Sequence, residues 1–200
     1  MAAILALTAA GCAGAGSGSD GDERLRPIYD QRTGRLSELT YDTNGDGAPD
    51  IRVYMDGPQV VRAEVDEDGD GRLDRWEYYA RPEAGQGAPA GRPLVNPRPP
   101  LARVEISSNR NGKTTRREFY QRGVLSRVEE DTNEDGRIDR WEIHENGVLH
   151  TLALDLIRRG SPQQRLFYNA EGDVTHVEID PDGDGRFEPS PRYRQADAGR

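Results

Sequence analysis

The stretch from Asp66 to Glu77 reads DEDGDGRLDRWE, with acids at Asp66, Asp68 and Asp70, a glycine at Gly71, then Asp74 and Glu77. Carboxylates this close repel one another, which costs folding free energy unless a cation offsets it. Side-chain oxygens at alternate positions around a glycine turn are hard ligands, and they suit a hard divalent cation. The same layout recurs from Asp131 to Glu142, DTNEDGRIDRWE, and shorter forms begin at Asp42, DTNGDGAPD, and at Asp180, DPDGDGRFE.

The spacing resembles the EF-hand type of calcium loop, which supplies oxygens from positions 1, 3, 5, 7 (a backbone carbonyl), 9 and 12, with glycine at 6. The resemblance implies Ca²⁺ ligands Asp66, Asp68, Asp70, the Arg72 carbonyl, Asp74 and Glu77 in one loop. It implies Asp131, Asn133, Asp135, the Arg137 carbonyl, Asp139 and Glu142 in another. Leu73 and Ile138 are the apolar residues at position 8. Of the outer loops, one fits at Asp42, Asn44, Asp46 and Asp50 but has Val53 at position 12; the other fits at Asp180, Asp182, Asp184 and Glu188 but has Pro191 there. Losing the bidentate carboxylate should weaken both outer loops. Mg²⁺ is a poorer fit, because it demands strict octahedral geometry and keeps its waters. Asp, Asn and Gly also favour tight turns for local reasons, so each loop alone could be an acidic turn that binds nothing.

The elements that position these loops follow from a repeat. Asp42 to Asp66 is a step of 24 residues, and stepping back 24 from Asp131 lands on Ser107, SSNRNGKTTRRE, where Asn109, Asn111 and Gly112 keep loop positions without the acids. Stepping forward 24 lands on Asp155, DLIRRG, which keeps the first aspartate and Gly160. Both are taken as decayed copies. Between the loops apolar residues alternate with period two, as in Ile51, Val53 and Met55 or Val61, Ala63 and Val65, which is strand periodicity. Tight-turn residues, such as Asn146-Gly147, stand opposite the acidic loops.

A unit is therefore strand, acidic loop, strand, tight turn. The expected fold is all-β, a meander of antiparallel hairpins in an open or curled sheet with the calcium loops along one edge. Consecutive loops would lie roughly 10 Å apart, within reach of mutual repulsion. The alternative, a helical EF-hand sensor or buffer, needs helices from DGPQVVRAEV and YQRGVLSRVEE, which carry glycine and β-branched residues instead.

The 200-residue chain has a formal net charge of -9 and only 34% hydrophobic residues, so any core is thin. The acidic balance argues against nucleic acid as a partner. Residues 81–100 are dense in proline, glycine and alanine and form an insertion between repeat segments 24–80 and 101–188, with a disordered tail expected at 189–200. At the front, Ala9-Ala10-Gly11-Cys12 closes a short apolar run and resembles the lipobox of bacterial lipoproteins. That resemblance implies that 1–23 is a signal and tether, that Cys12 carries the lipid, and that the protein is exported and membrane-anchored at the outer membrane or cell surface. The order Tyr29-Asp30, Gly34-Arg35-Leu36, Tyr41-Asp42 resembles one YD repeat of bacterial surface proteins, and it implies a hairpin. His144, His150 and His176 assemble no nucleophile, base and orienting group in sequence, so no enzyme is expected, although a hydrolase or lyase using loop calcium is the third option. The basic and aromatic stretch TTRREFYQRG could hold a glycan or a peptide.

Overall fold

Strict alternation of apolar and polar side chains gives a strand two distinct faces and gives a helix none. The computed structural model, which describes residues 24–81, 99–191 and 193, is all-β. Its strands are β1 (Leu25–Tyr29), β2 (Leu36–Tyr41), β3 (Ile51–Asp56), β4 (Gln59–Val65), β5 (Arg75–Tyr79), β6 (Leu101–Ile106), β7 (Arg116–Gln121), β8 (Val124–Glu130), β9 (Arg140–Glu145), β10 (Val148–Leu154), β11 (Gln164–Tyr168), β12 (Val174–Ile179) and β13 (Glu188–Pro189). All 13 lie in one sheet in chain order, each antiparallel to the next, and β1 and β13 stay unpaired with each other. The meander is open and not a barrel. None of residues 24–81 or 99–190 is helical, so the helical EF-hand alternative finds no support.

The tight turns lie at one edge of the sheet. Asn146 and Gly147 both take positive φ, 52° and 83°, the geometry a two-residue hairpin turn needs to match strand twist. At the YD-like hairpin between β1 and β2, Asp30 Oδ1 accepts from the Thr33 N–H at 2.7 Å and the Thr33 hydroxyl at 2.8 Å. β5 pairs with β6 from Arg75↔Ile106 to Tyr79↔Leu101, and the Ala80 N–H donates to the Pro100 carbonyl at 2.9 Å. Segments 24–80 and 101–188 therefore join in one continuous sheet, and the insertion leaves and re-enters at a turn position. Residues 82–98 of the insertion, and the N-terminal segment with Cys12, lie outside the described residues. Of the expected tail, Pro189 pairs with Glu178, and the Ser190 N–H donates to the Val177 carbonyl at 2.8 Å.

Directly paired residues share a face. One face carries the row Val53, Ala63, Glu77, Val104, Glu118, Val128, Glu142 and Leu152, one from each of β3 to β10. Val104 and Val128 have 0% exposure in a sheet whose main strand contacts run between sequence neighbours. Side chains of the sheet itself close over them. Arg75 pairs with Glu77 at 2.8 Å, Arg116 with Glu118 at 2.9 Å and Arg140 with Glu142 at 2.6 Å, while Tyr79, Tyr120 and His144 reach the same three glutamates from the other side. The arginine stems supply apolar cover and their heads stay hydrogen-bonded.

The opposite face repeats the device with aromatic rings. Arg103 lies over Tyr78 and Arg127 over Phe119, each 4.2 Å from the ring centre, and they pair with Glu105 and Glu129 at 3.4 Å. The cross-strand order Glu105, Arg117, Glu129 alternates charge, which favours this register. The basic residues of TTRREFYQRG are thus largely engaged within the sheet, with Arg116 held by Glu118 and Glu130.

Candidate metal-binding loops

All six long loops, 42–50, 66–74, 107–115, 131–139, 155–163 and 180–188, project from the edge opposite the tight turns. Adjacent loops are stitched by backbone. The first residue of each donates its N–H to the carbonyl closing the loop before: Asp66 to Asp50 at 2.8 Å, Ser107 to Asp74 at 2.7 Å, Asp131 to Thr115 at 2.8 Å, Asp155 to Asp139 at 2.8 Å and Asp180 to Gln163 at 2.9 Å.

Within each loop the first side chain braces the turn. Asp66 accepts from the Gly69 and Gly71 N–H groups, both at 2.7 Å; Asp180 does so from Gly183 at 2.8 Å and Gly185 at 3.0 Å. Asp42 accepts from Gly45 and Gly47, and Asp131 from Asp135 and Gly136. The decayed copies keep the same brace: the Ser107 hydroxyl accepts from Asn111 and Gly112 at 3.1 Å, and Asp155 accepts from Arg159 and Gly160. The ninth residue closes the loop from the other side. Asp50 accepts from the Thr43 N–H at 2.6 Å, Asp74 from Glu67 at 3.0 Å, Thr115 from Ser108 at 3.1 Å, Asp139 from Thr132 at 3.1 Å and Gln163 from Leu156 at 2.9 Å. Loop shape is thus set by hydrogen bonds in all copies, with or without the acids.

What differs is charge. Oxygens of Asp66, Asp68 and Asp74 lie within 4.8 Å of one another, as do those of Asp180, Asp182 and Asp184, so either set could hold a metal ion. Asp74 is 1% exposed, and its Oδ1 is buried with no hydrogen-bond partner. Burial pushes the Asp74 carboxyl above its ordinary value, and the charges of Asp68, Asp66 and Glu67 push it further against the pull of the Glu67 N–H. An orphaned carboxylate oxygen beside two further carboxylates is the arrangement that a divalent ion resolves. For Asp42 and Asp155 burial also pulls upward, yet the backbone N–H groups on each carboxylate outweigh it and hold the group below the ordinary value.

In the asparagine loops a side-chain amide supplies hydrogen-bond donors to the carboxylates. Asn133 donates from Nδ2 to Asp139 at 2.8 Å, and Asn44 from Nδ2 to Asp46 at 3.1 Å and Asp50 at 3.4 Å. Asp70 and Asp135 turn their Oδ1 atoms to the N–H groups of Arg72 and Arg137, at 2.8 and 3.0 Å, and Asp184 does the same with Arg186 at 2.7 Å. The twelfth-position glutamates have partners on their own strands: Glu77 is held by Arg75 and Tyr79, and Glu142 by Arg140 and His144. For Glu142 burial acts upward, but His144, Arg140 and Arg116 hold the carboxyl below its usual range. Glu188 is exposed in β13, opposite Ile179.

Position 4 carries a pattern that composition does not reveal. It takes positive φ in every loop: Gly45, Gly69, Arg110, Glu134, Arg158 and Gly183. Where it is glycine, a side chain from the preceding segment fills the space a Cβ would need. Asn44 Nδ2 lies 2.8 Å from that point at Gly69, and Arg24 Nη2 lies 3.1 Å from it at Gly45; Arg159 crowds it at Gly183. Where it is not glycine, the side chain meets the preceding loop: Arg110 reaches Glu67 and Asp68, Glu134 accepts from Asn111, and Arg158 lines a crevice with Asn133 and Asp139.

Comparison with family models and with curated proteins finds no match. Among solved structures, the crystal structure of accessory secretory protein 1, 2 and 3 in Streptococcus pneumoniae is similar at 18% identity and a TM-score of 0.36. The match covers 46% of this chain and 18% of that one, and it carries no functional argument. The site rests on its own chemistry.

Proposed function

We propose that this chain is a calcium-binding β-repeat protein, exported and lipid-anchored through Cys12, that works as a structural or interaction module without catalysis. The observation that carries the metal reading is that Asp74, buried and with its Oδ1 unpartnered, shares a cluster with Asp66 and Asp68. In this reading the 66–74 loop is the principal site, with Asp66, Asp68 and Asp74 as first ligands and Asp70 and the Arg72 carbonyl completing the set. The donors are all hard oxygens on a flexible glycine turn, which favours Ca²⁺ over metals that need nitrogen, sulfur or strict octahedral geometry.

The 180–188 loop is the second candidate, from its own aspartate cluster. Export fits a site of modest affinity, because extracellular modules bind calcium at ~10⁻⁴–10⁻³ M. Calorimetry with calcium on the full chain tests the reading. Uptake that falls by one site in Asp74→Asn is the expected result, and no uptake at millimolar calcium overturns it. Palmitate labelling that survives in Cys12→Ser would overturn the anchor.

A further inference from the structure

We infer that Arg110 is a tethered counterion of the 66–74 cage that competes with the divalent cation, an inference that rests on the calcium reading above. Arg110 belongs to the Ser107 copy, which has lost its own acids. Its Nη1 lies 3.9 Å from Asp68 Oδ2 and its Nη2 3.9 Å from Glu67 Oε2, across the gap between neighbouring loops. Among the described residues it is the one cation in ion-pair contact with the Asp66, Asp68 and Asp74 cluster.

The backbone points the same way. Arg110 holds φ at 53° in the position that Gly45, Gly69 and Gly183 occupy elsewhere. A side chain there is strained relative to glycine, a cost that Glu134 and Arg158 share at the same place, and in this copy the side chain is a guanidinium set against the acids of the preceding loop. The stitched loops hold the neighbouring backbone in register, with Ser107 N–H on the Asp74 carbonyl at 2.7 Å. Arg110 is therefore delivered to the cage by the sheet and needs no separate ordering.

The consequence is electrostatic. With no metal bound, the guanidinium screens Asp68 and Glu67 and limits repulsion along the edge. A divalent ion in the cage would lie beside a tethered positive charge, and binding favours Arg110 swinging into solvent, which its half-exposed side chain allows. Affinity is lowered, and uptake becomes sensitive to salt.

The test is calcium calorimetry on the full chain for the wild type and for Arg110→Gln, Arg110→Lys and Arg110→Gly, with Asp74→Asn marking which site is read. Arg110→Gln should tighten the Asp74-dependent site roughly three- to tenfold, and Arg110→Lys should stay near wild type. The gain should shrink as salt rises from about 0.1 M to about 1 M, where the screening length falls from ~10 Å to ~3 Å. Arg110→Gly removes both charge and backbone strain, so it should bind as tightly as Arg110→Gln while melting higher in EDTA. If Arg110→Gln and Arg110→Gly bind at wild-type affinity while Asp74→Asn loses a site, the counterion role is overturned and the calcium reading stands. If no form takes up calcium, both fall together.

Discussion

Asn133 donates from Nδ2 to Asp139 Oδ2 at 2.8 Å, whereas in the corresponding place Asp68 meets Asp74, whose Oδ1 has no partner. The Thr132 hydroxyl adds a second side-chain donor to Asp139 at 3.0 Å, where the 66–74 loop has Glu67. The asparagine amide supplies a donor that the aspartate cannot, so Asp139 is hydrogen-bonded within its own loop while one oxygen of Asp74 is left without a donor.

Replacing Asp68 by Asn should therefore stabilise the metal-free protein, by about 1 kcal/mol for one new hydrogen bond to a buried acceptor. The same change removes a charged ligand and should weaken calcium binding at that loop. Thermal melts in EDTA and in calcium should move in opposite directions relative to wild type. A lower melting temperature in EDTA would contradict the assignment.

The pH dependence of the metal-free protein follows from Asp74. Its folded-state carboxyl is raised above the ordinary 3.8, so the folded state binds a proton more readily than the unfolded chain. The ionised group costs stability above the raised value, and that cost is relieved as pH falls through it toward 3.8. Below that, both states are protonated and nothing more is gained. Glu142 acts in the opposite sense, contributing stability that is lost as pH falls through its lowered value. Denaturant melts in EDTA from neutral pH downward should show wild type gaining on Asp74→Asn in the first window.

Glu77→Gln should destabilise the protein by about 1–2 kcal/mol, because a neutral amide weakens charge-assisted bonds to Arg75 and Tyr79 beside buried Val104. The number of calcium sites should stay at the wild-type value, since Arg75 and Tyr79 already engage Glu77. Loss of a calcium site in this variant would return position 12 to the ligand set.

Gly69→Ala meets two penalties, a φ of 75° and Asn44 Nδ2 at 2.8 Å from the new Cβ. Gly47→Ala meets only the first, with φ 94° and open space. The left-handed conformation alone costs about 1–2 kcal/mol. Urea melts should rank Gly69→Ala below Gly47→Ala, and Asn44→Ala combined with Gly69→Ala should recover the steric part. Equal stabilities for the two glycine variants would show that Asn44 does not occupy that space.

The strands, the hairpin turns and the edge on which the loops gather were legible from the chain alone. Period-two alternation, Asn146-Gly147 and the 24-residue step are local signals, and neighbouring strands in a meander are also neighbours in sequence. The grouping of Asp66, Asp68 and Asp74 was likewise readable, because they lie within one short loop and each accepts from a nearby backbone N–H.

Three matters needed the structure, one through neighbours on the same strand and two through distant partners. Spacing alone puts Glu77 at the twelfth position of a calcium loop, and alternation along the strand also sets it on one face with Arg75 and Tyr79, which both bond to it. The copies at Ser107 and Asp155 look decayed in isolation, yet the sheet sets Arg110 against Asp68 and Arg158 beside Asn133. The cover over Val104 comes from Glu77 and Glu118 on strands either side of it, in a row that no single strand spells out. Backbone shape is written residue by residue, whereas the fate of a charge depends on which strand lies next to it, and that only pairing across the sheet decides.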